Sequence, residues 1–277
     1  MIHYHPNTIV KLNKQLFQPS PALSKFVESI QYFELERELD EKTIVEDFPR
    51  TALDMVFTFK GSIKLSSQAQ PNFELPKYSL VGLFDKKFGI EFSQNVCAVN
   101  VRFKSNGIYP LTKVPLHQLW LKSINLENLL GKDIIHLYNR MGEESSPKEK
   151  IKLLEQYLLN KYLDAQIHYK FNQCLEYINT TQDKITVTQI ANETNTNYKS
   201  LDRWFRKFVG TNPKKYLQLN KFKNILSRIE QDSTANWMDY VVDFGFHDQP
   251  HFINQFKSIA GITPNAYYQN AKSFFKA

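Results

Sequence analysis

The sequence predicts an α+β protein, with a β-rich domain at residues 1–165 and an all-helical domain at residues 166–277. Three observations support this fold class. Up to about residue 103, β-branched and aromatic residues alternate as they do in strands. Beyond residue 107, apolar residues recur every three or four positions, which is the helical period. The C-terminal part of the chain contains an internal repeat.

Short apolar runs define the predicted strands. The runs 55–59 and 63–65 flank a three-residue turn that contains glycine, a pattern that predicts a β-hairpin. Further strands are predicted at 79–84, 88–92 and 96–103. The N-terminal domain should therefore be mostly antiparallel.

Three helices should close this domain. Apolar spacing places them at 111–120, 126–140 and 147–163. Ser146 is placed to cap the third helix, with Pro147 as its first residue.

The C-terminal repeat appears when the sequence is shifted by 51 residues. The matched pairs are Leu201 with Phe252, Phe205 with Phe256, Gly210 with Gly261, Pro213 with Pro264, and Tyr216 with Tyr267. Upstream, the best shift is 50 and sets Asn195 on Gly245. Because Gly, and to a lesser degree Asn, tolerates positive φ, both positions are suited to a tight turn between helices.

Each repeat therefore predicts a helix-turn-helix unit. In the first unit, Thr186 should cap the first helix and Asn197 the second. Asp248 should cap the second helix of the second unit. A helix restarts at Pro213 and runs to about Ile229, a length of about 25 Å. With the width of the units added, the two second helices can lie about 34 Å apart, one turn of B-DNA.

The charge distribution suggests an acidic partner. The chain has a formal net charge of +7 and a pI near 9.1. From residue 166 onward there are 14 Lys and Arg against 9 Asp and Glu, whereas residues 1–165 hold 21 against 19. The positive excess is therefore concentrated in the repeat-containing part.

The second unit carries a recognisable motif. Residues 245–257 read GFHDQPHFINQFK, and residues 261–267 read GITPNAY. At these residues the chain resembles the AraC family of bacterial transcription regulators. The resemblance implies binding to double-stranded promoter DNA and, as a family expectation, activation through contact with RNA polymerase. It also sets Tyr240 and Val241 where the family usually has smaller residues.

A weaker resemblance covers the N-terminal domain. Segments 17–23, 80–83 and 101–107 look like a domain of unknown function that precedes some AraC-type domains. This match spans residues 4–140 approximately and says little about a ligand.

The second helix of each unit is its recognition helix. On the recognition helix of the first unit, the family's base-facing positions correspond to Lys199, Asp202 and Arg203. Arg203 can donate two hydrogen bonds to guanine, and Lys199 can reach a base or a phosphate. For Asp202 three roles remain open: orienting Arg203, accepting from cytosine, or pairing with Arg206 four residues on. A solvated charged face is the alternative for the whole set.

On the second recognition helix, the corresponding positions are Gln249, Pro250, Ile253 and Asn254. The two amides can pair with adenine, and the apolar side chains can touch a thymine methyl. A role confined to the DNA backbone remains an equal alternative for the amides. The expected phosphate contacts are Arg206, Lys207, Lys214, Lys215 and Lys257.

Two features of the N-terminal domain leave alternatives open. Arg102 can bind an anionic effector inside the sheet, although an outward-facing strand charge is the favoured interpretation. Leu154, Tyr157 and Leu158 form either the seam of a homodimer or a face that packs on the chain's own sheet. A rival function places the activity in the N-terminal β domain: a small-molecule-binding protein or enzyme whose helical part is accessory.

The remaining motifs suggest no catalysis. We find no phosphate-binding Gly loop, no G-x-S-x-G and no H-E-x-x-H, so we expect neither an enzyme nor a cofactor. His247 and His251 are four apart, but turn geometry explains them better than a metal. Cys97 and Cys174 are expected to be buried reduced thiols. Without a long apolar run or a signal-like N-terminus, we expect a cytoplasmic protein without a membrane span.

Overall fold

We describe the protein from a computed structural model. The described residues are 11–36, 43–67, 72–119, 123–163, 165, 167–181, 184–232 and 234–275. Residue 166, at the predicted domain boundary, lies outside these ranges.

The strands of the described residues pair antiparallel and form two sheets. The strands are β1 Lys11–Phe17, β2 Val27–Glu36, β3 Thr43–Asp47, β4 Asp54–Lys60, β5 Ile63–Ser66, β6 Phe73–Glu74, β7 Tyr78–Val81, β8 Phe88–Phe92, β9 Asn95–Phe103 and β10 Ser123–Asn125. The larger sheet has the order β1-β2-β9-β4-β7-β10, and the smaller has the order β3-β8-β5-β6. The mostly antiparallel N-terminal domain is thus confirmed.

The predicted hairpin is wrong, although both of its strands exist. β4 pairs with β7 and β9, whereas β5 pairs with β6 and β8 in the other sheet. The chain bends at Gly61, where φ is +71°, and a Cβ there would lie 2.0 Å from the backbone oxygen of Asn95. This close approach turns the chain from one sheet into the other, so β4 and β5 do not pair.

The N-terminal helices are shorter than predicted. They are α1 Ile108–Thr112, a 3-10 helix at Leu116–Leu119, α2 Glu127–Leu130, α3 Asp133–Glu143 and α4 Pro147–Tyr162. Lys113, with φ of 56°, ends α1 inside the predicted helix 111–120, whose last residue lies outside the described ranges. Gly131, with φ of 81°, divides the predicted helix 126–140. The third helix is confirmed with Pro147 first, but Ser146 makes no capping hydrogen bond.

The C-terminal part is helical, as predicted. Its helices are α5 Tyr169–Thr180, α6 Val187–Glu193, α7 Tyr198–Phe208, α8 Pro213–Gln231, α9 Trp237–Asp243, α10 Gln249–Ala260 and α11 Pro264–Phe275. Helices α6 and α7 form the first unit, and α9 and α10 form the second. The connecting helix α8 ends two residues beyond the predicted Ile229.

Three apolar cores are found among the described residues. One fills the space between the two sheets. A second covers the other face of the larger sheet with α3 and α4 and continues into the first unit. Leu154 and Leu158 are fully buried in it, which contradicts the homodimer seam proposed for that face. The third core belongs to the second unit and α8.

Candidate nucleic-acid interface

Side-chain caps start both helices of the first unit. The Thr186 hydroxyl accepts from the Gln189 backbone N–H at 3.3 Å, and the Gln189 side chain accepts from the Thr186 N–H at 2.8 Å. Asn197 accepts from the Ser200 N–H at 2.9 Å. Because these caps satisfy N–H groups that lack a partner within the helix, they fix where each short helix begins.

The second unit has the same construction. Asp248 accepts from the His251 N–H at 2.7 Å and caps α10 as predicted. The turns match as well, since Asn195 has φ of 47° and Gly245 has φ of 66°. The repeat seen in the sequence is therefore a repeat of turn conformation.

Helix α7 buries one face and exposes the other. Four apolar side chains are buried: Leu201, Trp204, Phe205 and Phe208. Lys199, Arg203 and Arg206 are exposed on the opposite face. The polar side of the first recognition helix is therefore available to a ligand outside the molecule.

One anion lies among these cations. The Arg206 Nε donates to the Asp202 carboxylate at 2.7 Å, one turn away. Of the three roles considered for Asp202, the structure shows this pairing. Arg203 makes no ion pair within the described residues.

The other side chains that we predicted to contact the DNA backbone near the first unit differ in exposure. Lys214 is exposed and Lys215 is half-buried in the first turn of α8. The Lys207 ammonium lies 5.0 Å from the ring centroid of Tyr109, so it packs toward α1 of the N-terminal domain. Lys207 therefore makes an internal contact, as Arg206 does with Asp202.

Helix α10 presents a nearly uncharged face. Pro250, Asn254 and Lys257 are exposed, whereas Gln249 and Ile253 are half-buried. Ile253 also packs against the core of its own unit. The amides are thus accessible, while the charge available from the helix is smaller than on α7.

The two histidines of the motif belong to the cap of α10. The His247 Nδ1 lies 3.0 Å from the second oxygen of Asp248, whose first oxygen caps the helix. The His251 backbone hydrogen bond and His247 lower the pKa of Asp248. These contacts fit the turn-geometry interpretation of both residues.

Tyr240 of α9, which is larger than the residue that the family usually has there, packs inside the second unit. Tyr240 is fully buried and donates to Asp232 at 2.5 Å, with the Arg228 guanidinium 4.4 Å from its ring centroid. Val241 is buried in the same core. The departures from the family pattern therefore still give a packed unit.

Arg102 does not face outward, so the favoured interpretation of this residue is wrong. It shares a face with Asn100, as the alternation predicted, but the smaller sheet covers that face. Its guanidinium donates to both oxygens of Asp54, at 2.9 and 3.0 Å. Asp54 and its other partner Arg50 were not predicted, because a spacing of four residues in an irregular segment carries no recognisable signal.

Both parts of the chain match family models. Residues 190–270 match a helix-turn-helix domain, and residues 15–125 match a domain of unknown function, DUF6597. The chain carries an AraC-type helix-turn-helix domain. These findings support a DNA-binding transcription regulator, with its helix-turn-helix domain in the C-terminal part of the chain.

Solved structures of transcription regulators are similar to this chain over much of its length. ToxT from Vibrio cholerae O395 is 14% identical, with a TM-score of 0.46, over 94% of this chain and 98% of that one. Fatty-acid-bound ToxT from strain SCE256 is 12% identical, with a TM-score of 0.45, over 95% and 97%. The AraC-like activator CuxR is 9% identical, with a TM-score of 0.31, over 77% and 86%. A search of curated proteins found no match. Among the described residues, no helix combines the length and apolar character needed to cross a bilayer.

Proposed function

We propose that this regulator binds specific DNA sequences by placing α7 and α10 in successive major grooves. One observation supports it above all others: corresponding positions of the repeat are buried on one face of each helix and accessible on the other.

The two helices would contribute differently. Lys199 and Arg203 would read guanine-containing steps, because lysine and arginine donate to O6 and N7. Gln249 and Asn254 would read adenine, with Pro250 or Ile253 beside a thymine methyl. Phosphate contacts would come from Arg206, Lys207, Lys214, Lys215 and Lys257.

Selection from a randomised duplex pool tests this proposal. We expect two clusters of preferred bases, separated by about 10 base pairs. Arg203→Ala should relax one cluster and Asn254→Ala the other. A pool that shows no base preference, or one cluster that both variants relax, would contradict the proposal.

The salt dependence of duplex binding separates this function from its rival, an enzyme or small-molecule-binding protein with accessory helices. Several phosphate contacts should give a log-log slope of several units. Absence of duplex binding at low salt would favour the rival.

Three further expectations stay predictions. They are the domain boundary at residue 165, contact with RNA polymerase and formation of a homodimer.

The cavity between the sheets favours a second, effector-binding function. Its lining combines apolar side chains, among them Phe33, Val56 and Ile90, with polar and charged side chains that include Arg102. Three of the lining side chains, with Lys14 among them, are cations and two are carboxylates, so an anion with an apolar body suits the site. The anionic dye 8-anilinonaphthalene-1-sulfonate is a suitable probe. Arg102→Gln should weaken its binding, whereas equal binding by both proteins would count against this site.

A further inference from the structure

A continuous series of charged contacts leads from the cavity to Phe48. Arg102 donates to both oxygens of Asp54, and Arg50 donates to Asp54 at 3.3 Å. Arg50 also pairs with Asp47. The same Asp47 oxygen accepts from the backbone N–H of Phe48 at 2.8 Å. We call Asp47, Arg50, Asp54 and Arg102 the charged cluster.

The charged cluster is largely shielded from water. Asp47 is 5% exposed, and the side chains of Arg50 and Asp54 are 16% and 18% exposed. Removing one partner of such a buried pair leaves the other charge without compensation. A change at Arg102 should therefore be felt at Asp47 rather than be absorbed by solvent.

Phe48 lies outside the β-domain core. Its ring is 5.3 Å from the Tyr267 ring of α11 and 6.2 Å from the Phe222 ring of α8. It is 6% exposed and belongs to the apolar core of the second unit. The N-terminal domain thus supplies an aromatic side chain to the packing of a DNA-binding unit.

A second contact joins the same two parts of the chain. The Lys87 backbone N–H donates to the carbonyl oxygen of Ile259 at 3.2 Å, in the last turn of α10. The Lys87 ammonium pairs with Glu46 at 2.6 Å, next to Asp47 in β3. Both contacts with the second unit therefore lie beside the end of β3.

The charged cluster also separates two cavities. Asp47, Arg50 and Arg102 line the cavity between the sheets, and they line a second cavity against α8 and α11 as well. Phe48 and Tyr267 line only the second cavity. The cluster is the shared wall between the effector cavity and the surroundings of the second unit.

We propose that the charged cluster couples the effector cavity to the second helix-turn-helix unit through Phe48. An anion that competes with Asp54 for Arg102 would displace Arg50 and Asp47, and with them the backbone of Phe48. The orientation of α10 would then depend on cavity occupancy, while the first unit stays fixed on α1. The regulatory meaning rests on the proposed effector site.

Hydrogen–deuterium exchange on the full chain, without DNA or effector, tests the coupling. Asp54→Asn should accelerate amide exchange in α10 by about tenfold or more, because the contact that restrains the unit is loosened. Phe48→Ala should accelerate the same amides, and exchange in α7 should not change. Glu74→Gln, which removes an exposed ion pair with Lys64 in the smaller sheet, is the control.

The outcomes decide the proposal. Unchanged exchange in α10 for both Asp54→Asn and Phe48→Ala would overturn it. Far-ultraviolet circular dichroism shows whether Asp54→Asn unfolds the sheets. If it does, Phe48→Leu replaces it as a test of the aromatic contact. Faster exchange in α10 of Phe48→Leu then supports the coupling, and unchanged exchange overturns it. Since neither DNA nor effector is present, this result is independent of whether the regulator selects bases or binds an anion.

Discussion

Asp202 neutralises Arg206 on the exposed face of α7, across a distance of 2.7 Å. This face carries the residues that we propose contact DNA. An anionic side chain in this position repels phosphate and occupies a cation that would otherwise be available. We therefore expect the pair to limit the affinity of the first unit for any duplex.

Asp202→Asn should strengthen duplex binding about two- to tenfold at low salt, for specific and non-specific sequences alike. The variant keeps a polar side chain of the same size but removes the negative charge. Fluorescence anisotropy with two unrelated duplexes measures the effect. Glu149→Gln, which breaks a similar ion pair with Lys152 on α4, is the control and should leave binding unchanged. Weaker binding to one duplex alone would instead identify Asp202 as a reader of cytosine.

Arg203→Ala and Lys214→Ala should weaken DNA binding in different ways. Loss of a bidentate contact to guanine should cost about 1 to 3 kcal/mol at the preferred site and relax base choice at one position. Loss of a phosphate contact should weaken binding to all sequences about equally. Binding curves on the randomised pool distinguish the two outcomes. An unchanged base preference after Arg203→Ala would remove it from the reading set.

Gly210→Ala should destabilise the protein more than Gly131→Ala. Both glycines have positive φ, at 96° and 81°. A Cβ at Gly210 would lie 2.9 Å from the Leu116 backbone oxygen, whereas a Cβ at Gly131 would meet nothing within 4 Å. Backbone strain alone should cost about 1 kcal/mol or more at either site, and Gly210 adds the clash. Urea unfolding measures the difference, and equal losses would show that the close approach has no energetic weight.

Asp54 should give the protein a distinctive pH dependence. Burial raises its pKa from 3.8 to about 6, because desolvation and nearby Asp47 and Glu28 outweigh Arg50 and the hydrogen bond from Asn100. Since the folded pKa exceeds the unfolded one, its contribution to the free energy of unfolding is complete below pH 3.8 and is lost as pH rises through 6.

The difference in unfolding free energy between the wild type and Asp54→Asn measures that contribution. We expect this difference to fall by at most about 3 kcal/mol between pH 4 and 6. A difference that does not vary with pH would show that Asp54 ionises with its usual pKa.

Local sequence signals were sufficient for the DNA-binding part. Asn195 and Gly245 identify the turns because positive φ restricts the residue type. Asn197 and Asp248 identify helix starts because a short polar side chain can satisfy free N–H groups. Each of these rules acts within four residues, so the units were predicted to within a residue or two.

Non-local packing decided the features that were missed. Nothing near Gly61 reveals that the backbone of Asn95 approaches it and that the hairpin opens into two sheets. The alternation of residues predicted the correct face for Arg102. It does not reveal that the second sheet covers that face. Phe48 is apolar in a strand-rich segment, so its sequence neighbourhood predicts only a buried residue. Its contact with Tyr267 joins residues far apart in the sequence and has no local signal.

The footprint on a selected duplex tests the central claim most directly. Two engaged units should protect two successive major grooves on one side of the DNA, about 10 base pairs apart. Inserting about 5 base pairs between the half-sites rotates the second groove to the opposite side, and this should abolish its protection. Protection of a single groove, or protection of both that survives the insertion, would contradict the account.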